Sequence, residues 1–500
     1  MPDHDLAALS DLPQDEPVKA MAGERAILLI RTGDDVTALT HECPHLGLPL
    51  SKGVVRDGTL ICAFHHACFD ARTGAQTQPP GHGDLQRFAV AIRDGRVIVD
   101  VPDDAPAHPM PDRARGTSDA RRFVVAGGGA AAMAAAAELR ERGFDGVIEM
   151  VSPDGPPLDR TMLSKAVLAG AKAVGDLALH PTPADLDIAT IAGRVIAVGD
   201  GTVTLEGGGT RAFDALLLAP GGTPRRLDVP GAELPGVYVL RSGEDAAAIA
   251  AAAEGAETAI VVGGGFIGME AALSLTKRGL SVTLATRNAL PLAGIVGPDV
   301  ARAILAEHVE AGVSHLAETE AVAFRADGDG VAVDWKDGGT ARADLILTAV
   351  GVTPGTDGID GIDTGDDGGV RVGPGMGVPG RPGVHVAGDS AAAPTPFGTA
   401  RIEHWRVAQQ HGRRAARAML GQAGDADDIP FFWTALARQY RYLGHAEEWD
   451  RIDIDGDPSG PFLARYVKGG TVVAALTAGR DAELAEMHLA MARAGGPVPA

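Results

Sequence analysis

Two stretches of this chain read as the same piece of local structure. Arg121-Arg122-Phe123-Val124-Val125-Ala126 is a β-type run that enters Gly127-Gly128-Gly129-Ala130-Ala131-Ala132, with an Ala-rich helix expected over about 130–142 and ended by Gly143. Ala259-Ile260-Val261-Val262 enters Gly263-Gly264-Gly265-Phe266-Ile267-Gly268 in the same way, with a helix to about Arg278. A strand that stops at G-x-G-x-x-G/A and restarts as a helix brings backbone N–H groups and a helix N-terminus to a pyrophosphate. One such turn is weak evidence and can be a Gly-rich turn with no ligand. Two of them, 136 residues apart (263 minus 127), imply two dinucleotides on two parallel α/β layers. The economical assignment is flavin first and nicotinamide second.

Positions around the two turns extend the reading. The strand VIEMV at 147–151 leads to Asp154, at the distance expected of an acid that meets a ribose hydroxyl. Gly127, Gly129, Ala132 and Asp154 are therefore expected at the first nucleotide. Gly263, Gly265, Gly268 and the following Glu270 are expected at the second. Its next strand, VTLAT at 282–286, ends in Thr286-Arg287-Asn288 without an acid, which tilts the choice toward NADPH over NADH. The bland alternative has Arg287 pointing into solvent.

All three cysteines lie early, between 43 and 68. Cys43-Pro44-His45 and Cys62-Ala63-Phe64-His65 flank a 16-residue connection, 46 to 61. Two thiolates on one iron and two imidazoles on the other make a Rieske [2Fe–2S] centre. A structural zinc site is the rival, but zinc sites more often pair Cys with Cys and His with His. The surrounding β-type runs, AILLI at 26–30, VTAL at 36–39, FAVAI at 88–92 and VIVDV at 97–101, suit a small antiparallel domain with the ligands on loops. With Leu46-Gly47 after His45 and Phe69-Asp70 and Thr73-Gly74 after the second pair, the run resembles a Rieske-type ferredoxin domain. The resemblance implies that Cys43, His45, Cys62 and His65 hold the cluster. Leu48 and Phe64 stand where cytochrome-complex Rieske proteins carry an extra disulfide, so that bond is absent. His66 is expected beside the ligands or exposed, and Cys68 as a buried, unliganded thiol.

Downstream segments add to the resemblance. Pro157–Lys165, PLDRTMLSK, is similar to the stretch of ferredoxin-reductase-like flavoproteins in which an Arg and a Lys (here Arg160 and Lys165) lie near the FAD phosphates. Phe213–Gly221 resembles the family's Ala-Thr-Gly strand end, with Pro220 in place of Thr, and Asp344–Gly351 the strand that closes the nicotinamide domain. Gly383–Asp389, GVHVAGD, resembles the second FAD contact, with Gly388 and with Asp389 at the ribityl chain. The stretch with Glu403, His404 and Trp405 resembles the one that passes beside the flavin ring, which is favoured over the alternative that Trp405 is simple core. From about 425, FFWT, FLARYV, TVVAAL and a helix at about 481–494 look like an appended α+β interface or dimerisation domain, which leaves a homodimer open. Taken whole, the chain resembles apoptosis-inducing-factor-like flavoproteins with a Rieske domain at the front. The expected layout is a small all-β Rieske domain at 1–103, a Pro-rich linker at 104–120, an FAD domain at 121–240 and 357–424, an NAD(P) domain at 241–356, and an α+β domain at 425–500.

Composition narrows the partners. A net charge of −22 argues against nucleic acid and anionic membranes. No apolar run reaches spanning length, and the acidic start MPDHDLAALSDLPQDEP lacks a signal peptide's features, so a cytoplasmic protein is expected. NAD(P)H delivers a hydride while an iron–sulfur cluster takes single electrons, which puts FAD between them. The expected route runs from NAD(P)H through FAD to the cluster and on to an unidentified ferredoxin, oxygenase, quinone or oxygen. A disulfide reductase is excluded, unless a partner lends the cysteine pair, because no cysteine follows Cys68. A Rieske oxygenase has no room for its mononuclear iron domain. A redox-sensing flavoprotein, controlled by bound NAD(P)H rather than turning over, is the alternative.

Overall fold

The computed structural model describes residues 3–111, 113, 118–422 and 428–500. The expected boundary at 424–425 and part of the linker lie outside these residues. The N-terminal domain is all β: a six-stranded sheet from Asp3–Ala8 to Arg96–Asp100, and a four-stranded one from Val54–Arg56 to Gln76–Gln78. Both ligand pairs sit on the loops that flank the smaller sheet. The described part of the linker is strapped along this domain, since the carbonyls of Ala105, Ala107 and Pro109 accept hydrogen bonds from Arg25, Thr40 and the Asp84 N–H.

Two parallel five-stranded sheets follow. The first runs in the order Ala189–Ala192, Val147–Ser152, Arg122–Ala126, Ala215–Leu218, Val384–Val386. The second is Val237–Tyr238, Leu345–Thr348, Thr258–Val262, Ser281–Ala285, Ser314–Leu316. Val237–Tyr238 thus joins the second sheet ahead of the expected boundary at 240, because its backbone pairs with Ile346 and Leu347. The ribbon Gly222–Pro224 with Val352–Pro354 ties the two crossings of the chain together.

The Ala130–Glu141 helix is buried on nearly every face, between its sheet and the Trp405–Met419 helix. That contact explains its alanines: a Cβ on Gly412 would stand 2.1 Å from the Ala131 carbonyl oxygen, so only small residues let the helices approach. The C-terminal domain is an antiparallel sheet that includes Phe431–Ala435, Gln439–Gly444 and Thr471–Ala478, followed by the Asp481–Ala494 helix. Its Phe432, Tyr440 and Phe462 share one core with Met269 and Leu347 of the second parallel domain. Ala485 and Leu489 of its helix pack on Val54, Ile61 and Cys68. The cluster domain is therefore seated on the rest of the same chain.

Candidate redox site

A cavity of 830 Å³ opens at the end of the first parallel sheet. Its floor is the first fingerprint. Gly127 has φ +127°, and a Cβ there would lie 2.1 Å from the Ala219 oxygen; Gly263 repeats this at φ +125° and 2.2 Å from the Ala349 oxygen. Only glycine brings the backbone this close, which is why both turns carry it. Gly129, Asp154, Arg160, Gly388, Asp389, Glu403 and Trp405 all line the cavity. Asp154 accepts a hydrogen bond from Arg160, and Asp389 one from Arg241 at 2.7 Å. Arg194 and Arg226 complete a set of four lining arginines suited to a pyrophosphate. Ser152 Oγ and Arg241 Nε are buried at this wall with no partner among the described residues, so polar groups wait there for a ligand. These residues fit FAD.

Several expected residues do other work. Ala132 is fully buried and spaces the helix from the sheet. His404 is not on the cavity wall; it stacks on Phe432 with ring centroids 4.0 Å apart, and burial pushes it down to about 4. Lys165 gives its ammonium to the Thr161 carbonyl and to Glu270 at 2.9 Å rather than reaching the phosphate end. Glu270 is likewise engaged by protein groups. It is buried, and its carboxylate is saturated by Lys165, Ser164, Thr434 and the Ala435 N–H, because its helix face turns toward the C-terminal domain. At the second fingerprint, a Cβ on Gly268 would lie 2.0 Å from the Gly263 oxygen, and Gly265 starts the helix. Thr286 is held by His315 and the Asn288 carbonyl, while Arg287 is 76% exposed and 3.4 Å from Glu320.

The four expected cluster ligands pair by type, histidine with histidine and cysteine with cysteine. His45 Nδ1 and His65 Nδ1 face each other at 3.1 Å, with the rings nearly perpendicular. Burial holds His45 down to about 4 and His65 well below its ordinary value, which favours the neutral imidazole that a metal ligand needs. The Cys43 and Cys62 thiols hydrogen-bond, which raises one and lowers the other, and backbone N–H groups of His45 on Cys43 and of Phe64 and His65 on Cys62 favour thiolates. Among the described residues no three such side chains gather around one point to hold a single ion. The donors sort two and two, which fits a cluster with two irons better than one tetrahedral zinc.

The pyridine nucleotide-disulphide oxidoreductase family model matches residues 121–412, and the Rieske [2Fe-2S] domain model residues 4–89. The chain belongs to the pyridine nucleotide-disulphide oxidoreductase family. It is an NAD(P)H-dependent FAD oxidoreductase with a Rieske domain at its front. Human apoptosis-inducing factor 3 is 32% identical over 496 residues, covering 95% of this chain and 81% of that protein. The ferredoxin–NAD(+) reductase component of the biphenyl dioxygenase system of Paraburkholderia xenovorans is 31% identical over 365 residues, 71% of this chain and 88% of that one. The covalent putidaredoxin reductase–putidaredoxin complex superposes with a TM-score of 0.70 at 28% identity, covering 76% of this chain and 95% of the matched one. Among the described residues no helix is long and apolar enough to cross a membrane.

Within this family member the cluster loops meet residues that sequence reasoning passed over. Trp433 lies against His45 and His65, at 5.5 and 4.7 Å between centroids. Arg441 Nε donates to the Phe64 carbonyl at 2.6 Å, and Arg406 to the His66 carbonyl at 3.1 Å. His66 is fully buried, not exposed: its Nδ1 is 2.7 Å from His488 Nδ1 and its ring stacks on Phe431. Cys68 is buried as expected, and burial pushes its thiol up to about 11. FFWT was readable as a strand of the last domain, but nothing local marked Trp433 as a neighbour of residues almost 400 positions earlier.

Proposed function

We propose that the protein moves electrons from NAD(P)H through FAD to its own Rieske cluster within one chain, and from there to a protein acceptor. The observation that carries this reading is the strand Phe431–Ala435. Trp433 packs on both histidine ligands, while the next residue, Thr434, donates to Glu270 at 2.6 Å and Glu270 grips Lys165. One strand therefore touches the cluster loops on one side and, on the other, the helix of the second nucleotide domain whose Glu270 holds Lys165 of the FAD domain. Arg160 and Arg241 would bind the FAD pyrophosphate and sugar side, and Asp389 would orient the ribityl chain. Glu403 and Trp405 wall the cavity beside the ring. The Gly263 turn and its helix would hold the nicotinamide nucleotide. Cys43, Cys62, His45 and His65 would hold the cluster. Bound FAD would supply the exchange between a two-electron hydride and single electrons. A ferredoxin or an oxygenase is the favoured acceptor, because the relative from the biphenyl dioxygenase system is a ferredoxin–NAD(+) reductase component.

Anaerobic stopped-flow mixing with NADH or NADPH tests the route. Flavin bleaching should precede loss of cluster absorbance, and the second phase should not depend on protein concentration. A cluster that never reduces would sink the route; a second phase that quickens with concentration would place the transfer between chains.

A further inference from the structure

We propose that Arg406 is the buried counter-charge of the reduced cluster, lent to the Rieske domain by the flavin body, so that domain docking and cluster reduction strengthen one another. The proposal rests on the reading that the four loop residues hold a [2Fe–2S] cluster reduced from the flavin side.

Arg406 is fully buried. Its guanidinium donates to three backbone carbonyls from three segments: Pro79 at 2.8 Å and His66 at 3.1 Å from the cluster domain, and Ile429 at 3.1 Å from the approach to the last domain. His66 is the neighbour of the ligand His65, and Trp405, the residue before Arg406, lines the flavin cavity. The charge thus touches the carbonyl next to one candidate ligand and adjoins in sequence a residue of the flavin cavity. Among the described residues no carboxylate lies within ion-pairing distance of it. Asp428 acts on it only from further off and is hydrogen-bonded to Gln78, and the neighbouring Cys68 is kept as a neutral thiol by burial. Arg441 makes the contrast: it also reaches the cluster loop, but Asp481 balances it at 2.8 Å.

A guanidinium stripped of water is costly, and the neutral carbonyls that Arg406 meets among the described residues compensate it only in part. A further negative charge arrives with the electron. Two ferric ions, two sulfides, two thiolates and two neutral imidazoles sum to zero charge. One electron from the reduced flavin turns one ferric ion ferrous, with no bond broken and no proton taken up, and leaves a single negative charge. Arg406 then favours the reduced, docked state, and by reciprocity docking raises the cluster's potential. A tenfold tighter docking of the reduced form equals a shift of 59 mV for this one-electron couple.

The test is a dithionite titration of the full-length holoprotein, with the cluster followed by EPR, which needs neither NAD(P)H nor turnover and so stands apart from the route above. Arg406→Met should lower the cluster's midpoint potential, Arg406→Lys should restore most of it, and Arg441→Met should lower it less than Arg406→Met. Hydrogen exchange of the amides at 64–81 should be about tenfold slower in the reduced than in the oxidised wild type, and equal in the two states of Arg406→Met. Equal potentials in wild type and Arg406→Met, or an equal fall in the Met and Lys variants, overturns the proposal. If Arg406→Met does not fold, Asp428→Asn decides: an upward shift supports the buried charge as the determinant, and no shift or a downward one refutes it.

Discussion

Glu138 joins the two helices on which the flavin wall depends, and replacing it with Gln gives a measurable cost. The residue sits on the Ala130–Glu141 helix with its side chain 3% exposed. Its carboxylate takes Arg142 from its own helix at 2.5 Å and Arg413 and Arg417 from the Trp405–Met419 helix, each at 2.8 Å. Burial alone would raise this carboxyl, but the surrounding arginines more than reverse it and hold it down to about 2, against an ordinary 4.5. At about 1.4 kcal/mol per pH unit this corresponds to about 3 kcal/mol of stability at neutral pH. Because the folded value is depressed, the contribution is complete above pH 4.5 and is lost as pH falls toward 2. Glu141 and Arg113 face the same cluster and remain in both proteins. Urea unfolding followed by release of flavin fluorescence should show Glu138→Gln weaker than wild type by about 3 kcal/mol at pH 7. The gap should close progressively below pH 4.5. A difference under about 0.5 kcal/mol at pH 7, within the range of ordinary surface changes, or a gap that stays constant down to pH 3, would refute this account of the helix pair.

Two further outcomes follow from the sites. His45→Ala should abolish the cluster's EPR signal while NAD(P)H still bleaches the flavin, since His45 lies on the Rieske loops and not at the cavity; loss of both signals would mean that the domains fold as one unit. Glu320→Gln should raise kcat/KM for NADPH relative to NADH a few-fold, because Glu320 is the carboxylate that holds Arg287 and also Lys336, and removing its charge frees Arg287 for a 2′-phosphate. An unchanged ratio would show that Arg287 takes no part in cofactor choice.

Much of the fold was legible because its signals are local. A strand that must turn within three glycines and restart as a helix can be read at 127 and again at 263, since backbone geometry allows no other residue at the tight positions. Cys43-x-His45 and Cys62-x-x-His65 were readable for the same reason: ligand spacing along a loop is set by a few adjacent residues. What was not legible shares one cause. Glu270 and Lys165 lie within expected nucleotide segments, yet which way each side chain turns was decided by the other and by Thr434, 164 residues beyond Glu270. Burial of His66 likewise depends on Phe431 and His488.

By itself, the sequence determined the two nucleotide turns, the paired Cys and His positions of the Rieske domain and the order of the domains. Only the tertiary structure decided that the cluster loops rest on their own flavin body, with Trp433 over the histidines and Arg406 beneath His66. The physical reason is separation along the chain. Arg406 and His66 stand 340 residues apart, and His66 and His488 stand 422 apart. No periodicity, cap or turn connects such positions, and their contact exists only once three independently patterned domains have packed together.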